Sequence, residues 1–160
     1  MKDAVLAYRQ AHHDAGEMSI DGSERLDRFA LYEDWLAYVT KNASPETVDP
    51  KWVLTDTFFA LDEAGEIVGV IDLRHELKGD LYDYGHCGYS VRPDKRRRGY
   101  ATEMLRLVLD VARSSGMTEV TVAAERSNEA SVRTIIKCGG QLMRSFDYHG
   151  QFADVYRIAL

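Results

Sequence analysis

The chain has 160 residues, of which 45% are hydrophobic and 10% aromatic, enough apolar material for one folded domain. With 26 acidic and 20 basic residues, its net charge of −6 argues against a nucleic-acid coat or an anionic membrane as the main partner. Cys87 and Cys138 form no CxxC motif and predict neither a disulfide scaffold nor a metal site. Because no apolar stretch resembles a signal-peptide core or a membrane span, we expect one cytoplasmic domain over residues 1–160.

The charge is unevenly distributed along the chain. Residues 54–90 contain eight acidic and two basic side chains, a net charge of −6. Residues 92–98 follow directly and sum to +4. A short basic segment therefore adjoins an acidic region, and it could bind an anion although the whole chain is acidic.

The pattern of apolar residues predicts an α/β fold. Residues 1–42 are predicted to form helices, at 4–12 and 26–39. Strands are predicted at 55–61, 67–73, 86–91, 119–124, 141–148 and 154–159, with helices at 101–113 and 128–138. The helix between the strands at 86–91 and 119–124 is a crossover, so these strands are expected to be parallel neighbours.

The strongest local signal is the segment from 91 to 102, where a strand runs through a basic loop into an amphipathic helix. Unpaired amides and the positive dipole end at a helix start favour a phosphate, and Gly99 and Ala101 allow close backbone approach. The chain contains neither GxxxxGK nor GxGxxG, which excludes a Walker loop and a dinucleotide fingerprint. The alternative interpretation is a solvated Lys/Arg run before a helix.

These motifs resemble those of the GNAT superfamily of acetyl-CoA-dependent N-acetyltransferases. The central family motif, Arg/Gln-x-x-Gly-x-Gly/Ala between a strand and a helix, is matched by Arg96, Gly99 and Ala101. The next family motif is an Asn with a small residue three positions later, which Asn128 and Ser131 match. The resemblance covers the motif core, residues 53–158, and the chain is similar to a bacterial subgroup of predicted acetyltransferases of unassigned substrate. The resemblance implies a mixed, mostly antiparallel central sheet with flanking helices and a parallel, splayed strand pair at the cofactor site.

The resemblance also implies where acetyl-CoA binds as the co-substrate. Its pyrophosphate is expected on the loop and helix start, at Arg96, Arg97, Arg98, Gly99, Tyr100, Ala101 and Thr102. Val91 corresponds to the strand position whose backbone holds the pantetheine arm. Asn128 is expected to bind that arm from the other side, and Ser131 completes the expected cofactor-binding residues. No metal is implied.

The usual general acid of the family is missing from this chain. Where the family commonly has a Tyr that protonates the leaving thiolate, position 135 is Ile. A thiol has a pKa of about 8.5, so its thiolate leaves at neutral pH with little assistance and transfer is still expected. Another Tyr could take this role in space; the candidates are Tyr84, Tyr89, Tyr148 and Tyr156.

The acceptor needs a base, since a primary amine with a pKa of about 10 must lose a proton before it attacks the thioester. His86 is the first candidate because it lies on the strand that leads into Val91 and histidine titrates near neutral pH. A shift of one residue along this strand would substitute Tyr89 or Cys87. Glu125, at the end of the next strand, is the second candidate. The alternative for His86 is an exposed strand-end histidine without a catalytic role.

The sequence thus predicts acetyl transfer to a primary amine by direct attack on the thioester, without a covalent enzyme intermediate. The acceptor is expected to be a small-molecule or peptide amine, and the acidic surplus favours a cationic one. Neither nucleic acid nor membrane is an expected partner, and we expect a monomer or a homodimer. Two alternatives stay open: a catalytically silent acyl-CoA-binding sensor or regulatory module, which Ile135 suggests, and a transferase of another acyl group.

Overall fold

Two helices, α1 (Lys2–Asp14) and α2 (Tyr32–Asn42), open the chain in the computed structural model, which describes residues 1–160. The predicted start of the second helix at residue 26 is wrong, because residues 26–31 form turns and bends. Leu26 is nevertheless fully buried against α1 side chains. Its burial in a loop, rather than on a helix face, produced the misleading apolar spacing.

The first sheet contains three antiparallel strands, β1 (Thr55–Leu61), β2 (Ile67–Arg74) and β3 (Tyr89–Val91), in that order. Strand β3 is three residues shorter than predicted. The reason is local: the Gly88 amide bonds to the Asp72 carboxylate at 2.5 Å instead of to the main chain of β2.

The second sheet has the order β4-β6-β5 and is also antiparallel; its strands are β4 (Glu119–Glu125), β5 (Gln141–Tyr148) and β6 (Gln151–Ala159). His149 and Gly150 take φ values of 53° and 81°, so they form a two-residue hairpin turn. Strand β6 therefore begins three residues before the predicted position 154.

Three further helices connect or cover the strands: α3 (Leu81–Tyr84), α4 (Tyr100–Ser114) and α5 (Glu129–Lys137). Helix α4, preceded by a 3-10 turn at Pro93–Lys95, crosses from β3 to β4. The main core lies between α4, α5 and both sheets and includes Leu73, Leu105, Val120, Ile135 and Ile158. None of the helices has the length and apolar composition that a membrane span requires.

Strands β3 and β4 run parallel and touch only where the two sheets meet. The His86 amide donates to the Thr121 carbonyl at 2.7 Å, and Cys87 forms a parallel bridge with Val122. Beyond this contact no ladder joins the strands, and their carboxyl ends separate toward the N-termini of α4 and α5. The predicted α/β fold, mostly antiparallel with a parallel, splayed strand pair, is confirmed.

Candidate active site

The opening between β3 and β4 exposes a free backbone edge on β3. Even-numbered residues of this segment pair with β2; the Arg92 amide, for example, donates to the Val68 carbonyl at 2.9 Å. Backbone groups alternate between the two edges of a strand, so those of Tyr89 and Val91 point toward β4. The Arg96 Nε donates to the Val91 carbonyl at 3.0 Å. The amides of Tyr89 and Val91 have no partner and face the opening.

Helix α4 begins with amide hydrogens that have no acceptor in the chain. Its first hydrogen bond runs from the Glu103 amide to the Gly99 carbonyl at 3.1 Å, which leaves the amides of residues 100–102 unpaired. No side chain caps this helix. Arg97 and Gly99 have φ values of 64° and 87°, so the loop passes twice through the left-handed region just before the helix. A Cβ on Gly99 would meet no protein atom within 4 Å, so the space beside this residue is open.

Most of the basic side chains next to these amides are already paired. Three of the five in segment 92–98 form ion pairs with carboxylates: Lys95 with Asp62 and Glu66, Arg96 with Glu17, and Arg92 with Asp94. Arg97 and Arg98 are exposed and have no carboxylate partner. Only these two guanidinium groups are therefore free to interact with a phosphate, a charge of +2 compared with the +4 of the whole segment.

The other side of the opening is formed by the start of α5. Asn128 is the N-cap, and its Oδ1 accepts the Ser131 amide at 3.1 Å, which leaves its Nδ2 free to donate. The Ser131 hydroxyl lies 2.8 Å from the Tyr89 hydroxyl. Burial raises the pKa of Tyr89 to about 12, although the bond to Ser131 opposes the shift. The phenol is therefore protonated at neutral pH, and its hydroxyl is available as a hydrogen-bond donor.

Ile135, at the position of the family's usual Tyr, belongs to the core. Its side chain has no exposed surface. A Cβ on Gly140 would lie 2.8 Å from the Ile135 carbonyl oxygen, so Gly140 packs directly over it. Position 135 contributes no proton donor to the opening, and the Tyr89 phenol lies beside α5 one helical turn earlier.

His86 lies where β3 and β4 touch, below the opening. Its Nδ1 accepts the Thr121 amide at 3.0 Å and lies 2.9 Å from the Thr121 hydroxyl. The neutral ring then carries its hydrogen on Nε2. Burial lowers the pKa of His86, which keeps the ring neutral. Nδ1 is the only ring nitrogen without a hydrogen, and its lone pair already accepts the hydrogen bond from Thr121. In this geometry the ring therefore has no free site for a proton from the acceptor amine.

Glu125 ends β4 at the mouth of the opening. The side chain is half-buried, and its Oε2 accepts a long hydrogen bond of 3.4 Å from the Ser127 hydroxyl. The charge of Glu125 acts on Asp21 across the mouth: burial, then repulsion from Asp72, Asp27 and Glu125, raises the pKa of Asp21. Glu125 forms no ion pair, so its carboxylate can accept a proton.

A polar pocket of about 160 Å³ lies on the face of the first sheet that α1 and α2 cover. Its lining comes from the loop 19–28, Trp52 and β2. A Cβ on Gly22 would overlap the Gly88 backbone, so this loop lies directly on the segment that leads into β3. The charged lining residues are Asp21, Glu24, Asp27, Asp72, Arg25, Arg28 and Arg74.

Two buried carboxyl groups form the floor of this pocket. Asp72 has no exposed surface and pairs with Arg74 at 2.6 Å. Glu24 is 5% exposed, accepts the Trp52 indole N–H at 3.0 Å and lies 4.0 Å from Arg74. Burial and repulsion from Asp72 raise the pKa of Glu24 to about 7, although Arg74 opposes the shift. Burial raises the pKa of Asp72 as well, so the pair retains a proton near neutral pH.

The sequence gives almost no signal for this pocket. Glu24, Trp52 and Asp72 come from three distant segments, and a charged residue inside the apolar strand β2 is the one clue. Asp72 occupies that position because its carboxylate bonds to Gly88 and Arg74. No three His, Cys, Asp or Glu side chains lie together in an arrangement able to hold a metal ion.

Comparison with known proteins identifies the family. Residues 6–141 match the family model described as an acetyltransferase (GNAT) domain. No curated protein matches the chain. A protein assigned to the GnaT acetyltransferase family from Bordetella pertussis is similar in structure, with a TM-score of 0.68 and 20% identity over 98% of this chain and 89% of that chain.

Two other solved structures share the fold. The yncA protein of Salmonella typhimurium, solved with its cofactor acetyl-CoA, has a TM-score of 0.71 and 16% identity over 99% of this chain and 90% of that chain. A mutant of the spermidine N-acetyltransferase SpeG from Vibrio cholerae has a TM-score of 0.69 and 11% identity over 99% of this chain and 91% of that chain. Since the family model covers most of the sequence, this chain belongs to the GNAT acetyltransferase family.

Proposed function

We propose that this protein transfers the acetyl group of acetyl-CoA to a primary amine by direct attack on the thioester. The observation that carries the proposal is the opening between β3 and β4, where free strand amides and the unpaired amides of α4 face one cleft. A coenzyme with phosphates at one end and an amide-rich arm needs both kinds of partner. Residues 1–160 form one cytoplasmic domain in this proposal.

The phosphates of acetyl-CoA bind at the unpaired amides of residues 100–102, with Arg97 and Arg98 beside them. The pantetheine arm lies along the free edge of β3, and Asn128 donates to it through Nδ2 from the other side. The thioester then lies near Tyr89 and Val91. One of their free amides stabilises the oxyanion that forms when the amine attacks, because a fixed dipole in a partly dry cleft needs no reorganisation.

Two side chains handle the protons in the proposed reaction. Tyr89 is the donor to the departing thiolate, since its hydroxyl is protonated and fixed by Ser131 at 2.8 Å, and the phenolate takes a proton back from water once the thiol has formed. Glu125 takes the proton of the acceptor amine, directly or through water, because its carboxylate is free at the mouth. The occupied Nδ1 of His86 favours Glu125 over His86 as the base.

The acceptor is proposed to be a cationic amine that enters from the pocket lined by the loop 19–28, Trp52 and β2. Asp21 and Glu125 bring negative charge to the mouth, and Glu24 adds a carboxyl group at the floor. Of the arginines that line the pocket, Arg74 is paired with Asp72 and Arg28 with Asp27. The spermidine N-acetyltransferase with the same fold acts on a polycation, which is consistent with this assignment. A peptide amine with neighbouring basic residues would satisfy the same chemistry.

Trp52 provides a direct test of the acceptor site. It lines the pocket, whereas the chain's other tryptophan, Trp35, is buried in the core. Cationic diamines are expected to change tryptophan fluorescence with saturation, and Trp52→Phe removes the signal while Trp35→Phe keeps it. Equal responses to cationic, neutral and acidic amines, or a signal that survives Trp52→Phe, would refute the assignment.

One observation favours a second function, an acyl-CoA-binding sensor without catalysis. Ile135 is buried where the family commonly has its acid, so the chain lacks that group. A sensor would bind acetyl-CoA but release no thiol with any amine. Comparison of acetyl-CoA with succinyl-CoA and longer acyl-CoA esters in the same thiol assay separates acetyl transfer from transfer of another acyl group.

A further inference from the structure

A series of polar contacts connects helix α1 to the coenzyme loop, defined here as residues 92–99. His12, in the last turn of α1, has no exposed surface, and its Nδ1 lies 2.7 Å from Glu17 Oε2. Both carboxylate oxygens of Glu17 accept hydrogen bonds from the Arg96 guanidinium, at 2.6 and 2.8 Å. Arg96 Nε in turn donates to the Val91 carbonyl at 3.0 Å. The contacts thus run from a buried ring to the end of β3.

The buried ring of His12 fixes the position of Glu17. The Nε2 of His12 is buried and has no hydrogen-bond partner. If the hydrogen were on Nε2, it would have no acceptor, and the lone pair of Nδ1 would face the Glu17 carboxylate. The neutral ring therefore carries its hydrogen on Nδ1 and donates it to Glu17. Tyr8, one turn earlier on α1, packs edge-on against the ring and bonds to Ser90 of β3.

We infer that Glu17 is a positioning residue for coenzyme binding. It holds the Arg96 guanidinium in one geometry, with Nε and both terminal nitrogens of the side chain engaged by Glu17 and Val91. Arg96 is consequently tied to the end of β3 by Val91 and to the segment after α1 by Glu17, so the amides that follow it are fixed before the coenzyme arrives. Such preorganisation raises affinity by lowering the entropy lost on binding. The inference rests on the proposed function, in which these amides bind the phosphates.

The same contacts allow a second role for Glu17, in which it competes with the coenzyme for Arg96 and does not position the loop. If Glu17 only competed with phosphate for Arg96, removal of its charge would release Arg96 to the coenzyme and strengthen binding. If Glu17 positions the loop, the same change weakens binding. The direction of the change in affinity therefore decides between the two roles.

The test measures the Kd of acetyl-CoA by calorimetry for the wild type, Glu17→Gln, Arg96→Gln and the double variant. Each single change is expected to raise Kd about three- to tenfold, the range for one partly exposed, bidentate ion pair. The double variant is expected to bind no more weakly than the weaker single variant, because both changes break the same contact. In Glu17→Gln, whose changed side chain contacts Arg96 and not the coenzyme, the KM for the acceptor and kcat at saturating coenzyme stay unchanged, which a general loss of structure would not produce.

Glu33→Gln is the matched control, since Glu33 forms an ion pair with Lys2 of α1 far from the coenzyme loop. Its Kd is expected to equal that of the wild type. The inference would be overturned if the Kd for Glu17→Gln were unchanged or lower, or if the two effects were additive in the double variant. The proposed function would still hold in that case, provided that the wild type binds acetyl-CoA. A wild-type protein that binds no acetyl-CoA would overturn both.

Discussion

Gly99→Glu is expected to abolish acetyl-CoA binding, and the structure supplies a control for its effect on stability. Gly99, just before α4, has a φ of 87°, and Gly116, just after α4, has a φ of 82°. A Cβ at either glycine would meet no protein atom within 4 Å. The two positions therefore share the same backbone strain and the same open surroundings, but only Gly99 adjoins the unpaired amides.

The expected magnitudes follow from these geometries. A side chain in the left-handed region costs about 1–2 kcal/mol, which in a domain of this size lowers Tm by about 2–8 °C. Gly99→Ala and Gly116→Ala should both show this loss. Acetyl-CoA at about 100 times its Kd stabilises the protein by about 2.7 kcal/mol, a shift of about 5–10 °C. That ligand-induced shift should be retained in Gly116→Glu and absent in Gly99→Glu, where a carboxylate would face the phosphates.

Differential scanning calorimetry with and without acetyl-CoA measures both effects on the same samples. Comparison of each variant with its own ligand-free Tm separates strain from binding. A normal ligand-induced shift in Gly99→Glu, or its loss in Gly116→Glu as well, would show that the phosphates do not bind at the start of α4.

Three other changes test the rest of the site. Gly140→Ala should lower the free energy of unfolding by about 1–3 kcal/mol in chemical denaturation, because its Cβ would press on Ile135; an unchanged value would contradict the packing. Tyr89→Phe should lower kcat about tenfold or more with the Kd of acetyl-CoA unchanged, and equal kcat would remove Tyr89 as the acid. Burial raises the pKa of Glu24 from 4.5 to about 7, so the folded state binds the extra proton and stability falls as pH rises through that window. Glu24→Gln should flatten this decline of Tm, and the same slope in both proteins would refute the shift.

The sequence predicts the fold well where one segment determines its own structure. The hairpin of β1 and β2 follows from two short runs rich in β-branched and aromatic residues on either side of the Asp62 turn, and that turn forms because Asp62 accepts the amides of Ala64 and Glu66. The start of α4 follows from Gly99 and the amphipathic residues after it. The position of α2 could not be predicted in the same way, because Leu26 is buried through the positive φ of Glu24 and Arg25, not through helical spacing.

The same distinction between local and distant contacts separates the predictable part of the candidate site from the rest. The coenzyme loop is one continuous segment with a recognisable motif, whereas the contacts that orient it come from elsewhere in the chain. Arg96 pairs with Glu17 across 79 residues, and Glu24 bonds to Trp52 across 28. Nothing in the sequence indicates that Nδ1 of His86 accepts a hydrogen bond from Thr121, which lies 35 residues away in the chain. The motif therefore predicts where the coenzyme binds, but the proposed proton acceptor and the proposed acceptor pocket depend on the folded structure.

The most direct test of the central claim is the amine-dependent release of free coenzyme A from acetyl-CoA, measured together with the amount of N-acetylated product. The account predicts that a cationic primary amine accelerates release and that thiol and acetylated amine form in equal amounts. Binding of acetyl-CoA without amine-dependent release, across cationic, neutral and acidic amines, would contradict acetyl transfer and leave a coenzyme-binding sensor as the function of this protein.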